Sequence, residues 1–215
     1  ALVLPAAFAT APHGPSPRSA ETAAVAAGGY GDRPDAVDAA ADALIGLAAD
    51  ALGVGRTALS TRLLDRCTAL LDQRAPDSGR PDPGDPERPR VRVRLHWVRA
   101  ETALADGRGM PALAAAEAAL TLAEQGPSVR HRVKSRLLVA AAASATGQLD
   151  RARALADRIG DECRTAGLVP LGWACAMLRG GLAATSAARD TATGDATACR
   201  AVISRRGGLF HDPGR

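Results

Sequence analysis

Residues 88–123 recur, displaced by forty positions, in residues 128–163. Arg90, Arg92, Val93 and Arg94 fall on Arg130, Arg132, Val133 and Lys134, and Val98 falls on Leu138. Ala100, Ala103 and Ala105 fall on Ala140, Ala143 and Ala145, Gly107 on Gly147, and Ala112 and Ala116 on Ala152 and Ala156. Apolar residues spaced three and four apart on either side of a glycine read as a helix, a turn and a second helix. One such hairpin cannot bury its apolar stripe alone, so copies have to stack. The matching positions are mostly small. Helices meeting at Ala100 and Ala116 are expected near the short end of the usual interaxial range of about 8–10 Å.

Composition points the same way. Alanine, the best helix former, makes up about a quarter of the 215 residues. The aromatics are only Phe8, Tyr30, Trp97, Trp173 and Phe210. Strands favour β-branched and aromatic side chains, so the reading is an all-α chain of tandem antiparallel hairpins. Its helices are predicted from about 35, at 57–73, and at about 91–105, 111–125, 129–146, 149–164, 170–187 and 195–206. Glycines 53, 107, 147 and 194 mark the turns within hairpins, the last starting a degenerate final copy. Residues 1–34 read as a flexible or cropped linker with a short helix around Ala20–Ala27, and 35–74 as the first hairpin. Residues 75–90, with five prolines and two glycines, form a loop. Residues 91–206 are the stacked hairpins and 207–215 a tail.

This pattern resembles the tetratricopeptide-like repeats. Ala100, Gly107, Ala112-Leu113 and Ala119 match that motif, as do, more sparsely, Ala140, Gly147 and Ala152. The likeness covers roughly residues 35–206. The period is forty rather than thirty-four, the motif's aromatics are mostly missing, and no proline closes each unit. The resemblance implies a short right-handed solenoid whose first helices line one surface, and it implies little about function.

The net charge of +4 divides unevenly: residues 1–87 carry −5 and residues 88–215 carry +9. Arg90, Arg92, Arg94 and His96 enter one first helix, and Arg130, Arg132, Lys134 and Arg136 enter the next at equivalent places. Positive charge near a helix N-terminus opposes the macrodipole, which calls for an anion from the protein or from a ligand. The alternative is a solvated arginine face in a chain with a single lysine, Lys134, as a GC-rich genome would encode. With Trp97, flanked by Arg92, His96 and Arg99 and expected to be more exposed than Trp173, these residues form the candidate partner-binding set. The partner is an acidic peptide or a protein. Nucleic acid is disfavoured because stacking aromatics are scarce.

No catalytic or metal constellation stands out among the residues, and no cofactor is called for. Cys67, Cys163, Cys175 and Cys199 form no C-x-x-C pair. The first three sit in apolar helical contexts, which suits a reduced, cytoplasmic compartment while leaving disulfides open. Ala1–Ala11 is apolar but too short to span a bilayer. Export or tethering through a preceding segment is the alternative location. The functional expectation is a non-enzymatic scaffold. The alternatives are a ligand-sensing region of a larger bacterial signalling or transcription regulator, and a subunit that oligomerises through apolar faces. If the alanines mark close crossings, Ala140→Leu or Ala152→Leu overpacks the core. Each should cost roughly 1–3 kcal/mol, read from the urea unfolding midpoint. An unchanged midpoint would remove the close-crossing reading.

Overall fold

The computed structural model describes residues 36–72 and 89–210. Within them lie eight α-helices: α1 (Ala36–Gly53), α2 (Thr57–Asp72), α3 (Pro89–Ala105), α4 (Gly109–Gln125), α5 (Val129–Ala145), α6 (Leu149–Thr165), α7 (Val169–Leu182) and α8 (Ser186–Arg205). The expected linker at 1–34, with its short helix, lies outside the described residues, as do most of the 75–90 loop and the end of the tail.

The forty-residue period appears in the helix boundaries themselves. First helices begin at residues 89, 129 and 169, and the second helices end at 125, 165 and 205. Each helix packs on the next in sequence. In addition, α1 packs on α3, α3 on α5 and α5 on α7, whereas the second helices do not pack extensively on one another. The first helices therefore form a continuous row. α5 sits in the middle of it and is buried without interruption from Leu137 to Ala143.

The turns share one design. Gly55, Gly107, Gly147 and Gly167 have φ between 65° and 80°, a region that glycine enters without a Cβ penalty. At each, the next residue's N–H reaches back five residues: Arg56 to Ala51, Arg108 to Ala103, Gln148 to Ala143 and Leu168 to Cys163. This is the Schellman closure, which satisfies carbonyls left over at a helix end. Between α4 and α5, Gly126 and Pro127 end one helix. Ser128 then caps the other by accepting from the His131 N–H at 3.3 Å.

The last hairpin corrects the sequence reading. α7 stops at Leu182, not near 187, and Gly194 lies inside α8 rather than at a turn. The turn is instead Ala183–Thr185, where the Thr185 hydroxyl accepts from the Ala188 N–H at 3.2 Å. A good cap closes the hairpin about one helical turn before residue 187, where the period would place the turn, and the outer ends of the hairpin keep the period. Glycine costs a helix interior only about 0.5–1 kcal/mol, so Gly194 does not break α8.

The positions singled out as small are core, apart from Ala105 and Ala145, which are exposed. Ala100, Ala112, Ala116, Ala119, Ala140, Ala152 and Ala156 are all fully buried. They fill two continuous clusters with Trp97, Leu113, Leu138, Leu137, Ile159 and Leu178. A third cluster joins α1, α2 and α3 through Ile45, Leu64, Cys67 and Leu95.

Two glycines give opposite predictions. A Cβ at Gly194 would meet nothing within 4 Å, whereas one at Gly109 would stand 3.0 Å from the Ala145 carbonyl oxygen. Gly194→Ala should therefore stabilise by about 0.5–1 kcal/mol, and Gly109→Ala should destabilise, by about 1–3 kcal/mol. Thermal unfolding of both variants checks the assignment; a Gly194→Ala protein that melts lower would contradict a continuous α8.

Candidate functional site

The α3–α5 basic run is largely answered by the protein's own acids. Arg94 pairs with Asp42 of α1. Arg92 stands 4.0 Å from Asp72 of α2. Lys134 Nζ is 3.1 Å from Glu101 of α3. Arg136 donates to both carboxylate oxygens of Glu162 of α6 at 2.8 and 2.9 Å, and lies 3.6 Å from Glu124 of α4. Arg132 donates to the Gly126 carbonyl at 2.8 Å. The anion called for by the helix starts is thus supplied mostly from within. Arg90 and Arg130 are exposed, and among the described residues no acid pairs with either.

Trp97 is 8% exposed, which reverses its expected order with half-buried Trp173. Its charged sequence neighbours surround the helix rather than marking an outer face. The Trp97 indole N–H donates to Ser135 Oγ at 2.8 Å, and Ser135 donates to the Ala119 carbonyl at 3.3 Å. Lys134 Nζ stands 4.6 Å from the Trp97 ring centre, and His131 meets the ring edge-on at 5.2 Å. The chain's single lysine is therefore clasped between a carboxylate and an aromatic face.

Glu101 was not singled out in the sequence. It is a buried carboxylate, and burial pushes its pKa above the usual range against the opposing pull of Lys134. Lys134 is the group that answers this charge, through the 3.1 Å contact of its Nζ with Oε1. His131 is held below its ordinary pKa by burial and by the neighbouring charges of Arg90, Arg130 and Arg94. These arginines sit at the starts of α3 and α5, which pack on each other.

A groove of about 390 Å³ lies between α2 and α4, along α3. It is lined by Leu64, Ala103, Ala114, Ala115 and Ala118 together with His96, Arg99, Arg108 and Asp65. Of its polar groups the sequence reading included only His96. Arg99, on α3, and Arg108, in the α3–α4 turn, lie outside the repeated basic run, and both line the groove. His96 is held below its ordinary pKa by burial and by Arg99 and Arg92, so it is a neutral imidazole at pH 7.

Cys67, Cys163, Cys175 and Cys199 are free thiols, the first three buried. Burial pushes Cys163 up to about 11 and Cys175 up to about 12. These are packing residues rather than nucleophiles. Among the described residues, no cluster of His, Cys, Asp and Glu is arranged to hold a metal, and no helix is long and apolar enough to cross a membrane. No protein family, curated protein or solved structure matches the chain.

Lys134→Met strands Glu101 and should cost about 3–5 kcal/mol at pH 7. Because burial raises the Glu101 pKa in the fold, the folded state holds that proton more tightly than the unfolded chain, and stability falls as pH rises past the ordinary glutamate value of 4.5. The loss in Lys134→Met should accordingly be smaller below that pH than at neutrality. The pair Glu101→Leu with Lys134→Met should recover most of it. Urea titrations at two pH values separate these outcomes.

Proposed function

We propose that the chain is a non-enzymatic helical-repeat scaffold, a short tetratricopeptide-like right-handed solenoid, that holds a partner protein or acidic peptide. The row of first helices supports the stacking, and the basic corner where α3 and α5 begin supports the choice of partner. The carrying observation is that Arg90 and Arg130, forty residues apart in sequence, both stand exposed at the starts of α3 and α5, two helices that pack on each other. Arg92, Arg94, Lys134 and Arg136 are paired with acids within the fold, so the capturing face is narrower than the run. It consists of Arg90 and Arg130, with Arg132 beside them. Electrostatic capture of this kind weakens as salt screens the charges.

A second reading is a ligand-sensing region of a larger bacterial signalling or transcription regulator. The α2–α4 groove favours it, since its size falls at the lower end of small-molecule sites, about 300–1,000 Å³.

Arg90→Glu with Arg130→Glu should leave the circular dichroism spectrum intact, because neither side chain is buried. The same variant should weaken binding of a fluorescein-labelled Glu-Ala repeat peptide by about tenfold or more. Wild-type affinity should fall comparably between about 0.05 and 0.5 M salt. Salt-independent binding, or full affinity in the double variant, would count against the basic corner.

A further inference from the structure

The first helices α3, α5 and α7 each lie between two second helices, and the seams above α5 and α7 are bridged in one way. On α5, Arg136 reaches Glu162 of α6 at 2.8 Å and Glu124 of α4 at 3.6 Å. Arg151 of α6 adds a direct link of 2.7 Å to Glu117 of α4. On α7, Arg179 reaches Asp157 of α6 at 3.1 Å and Asp195 of α8 at 2.8 Å. Its guanidinium lies over Gly160, 3.9 Å from where a Cβ would stand. In both seams, one arginine on the middle helix joins a carboxylate on either side.

The seam above α3 is built differently. His96 occupies the place that Arg136 holds forty residues later. Arg99 reaches only to α2, donating through Nη2 to Thr68 at 2.6 Å and Asp65 at 3.3 Å. From α4 the groove receives Pro111, Ala114, Ala115 and Ala118, none of them acidic. Arg108 lies at the α4 end, turned to Asp106 at 2.9 Å. A guanidinium has five N–H donors, so both arginines retain donors beyond these contacts. The groove therefore combines a floor of small apolar side chains with a neutral imidazole and two arginines, each paired with one acid, Arg99 with Asp65 and Arg108 with Asp106, and α4 brings to its lining none of the second carboxylates that complete the neighbouring seams.

We propose that the α2–α4 groove binds a small apolar carboxylic acid. Its carboxylate meets Arg99 and Arg108, in place of the protein carboxylate found in the other seams, and its apolar body lies on Ala103, Ala114, Ala115 and Ala118. This inference rests on the ligand-sensing reading and supplies the class of ligand. A charged group is selected by the arginines, and the alanines leave the space that the chain's own side chains do not fill. The neutral His96 leaves the selection of charge to the arginines and offers its N–H to a carboxylate oxygen.

Calorimetric titration of the full chain with octanoate tests the proposal, with octylamine as the oppositely charged control. Octanoate should bind and octylamine should not. Arg108→Gln should weaken octanoate about tenfold or more, as expected for loss of a charge-assisted contact. Ala118→Glu supplies a carboxylate from α4 and should abolish binding while keeping or raising Tm. Arg151→Ala, in the neighbouring seam, should leave the affinity unchanged. Equal binding of octanoate and octylamine would overturn the proposal, as would tighter binding of the Glu-Ala peptide with the same dependence on Arg108 and Ala118. Octanoate binding indifferent to both groove variants would refute the site while leaving a ligand-sensing role standing. No binding of octanoate, or of phenylacetate as a second apolar acid, would remove both.

Discussion

Where α3 meets α4 and α5 meets α6, methyl groups face methyl groups: Ala100, Ala112, Ala116 and Ala119 in one contact, Ala140, Ala152 and Ala156 in the other, all fully buried. So small a side chain removes little apolar area from water, and the gain per residue is modest. It makes up for this by letting backbones approach closely, which strengthens dispersion contacts along the whole crossing. The larger residues, Leu137, Leu138, Ile159 and Leu178, fill what remains. Long arginine side chains then span the surface seams between helices that do not otherwise touch extensively. Exposed ion pairs of this sort contribute about 0–1 kcal/mol each, so their main effect is to set how one hairpin sits on the next.

Much of this was legible in the forty-residue echo, because helix length and turn position are local properties. Gly107 and Gly147 announce their turns, since a left-handed residue is needed there. The α7–α8 turn is hard to read because Gly194 is the more visible letter, while the operative signal is the weaker one, Thr185 as an N-cap. The run Val91-Arg92-Val93-Arg94-Leu95-His96 conceals a second fact. Apolar and basic residues alternate there, so on a helix the arginines are distributed around the axis instead of forming one wet face. Their stems cover neighbouring apolar groups while their heads reach outward to acids.

The identity of those acids was not legible. Asp42 precedes Arg94 by 52 positions, and Glu162 follows Arg136 by 26, separations that follow from stacking and not from any local spacing. The same holds for the groove. Its character depends on what α4 does not bring to α3, and that lack becomes visible only beside the two seams that are complete. The basic corner and the groove thus arise from one scaffold by small departures from its repeat: two arginines at the helix starts that pair with no acid among the described residues, and a histidine where the next unit has an arginine.

Lys134 is the only lysine in the chain, and its side chain is 18% exposed, between Glu101 and the Trp97 ring. Acylation, methylation and isopeptide linkage all require a side-chain amine that is reachable and free to shed its proton. In this molecule the single such amine is sequestered at the contact of two first helices. The many arginines give the surface positive charge without giving amine-directed enzymes or reagents a place to act, so marks of that kind could be written on a lysine only while the α3–α5 contact is parted.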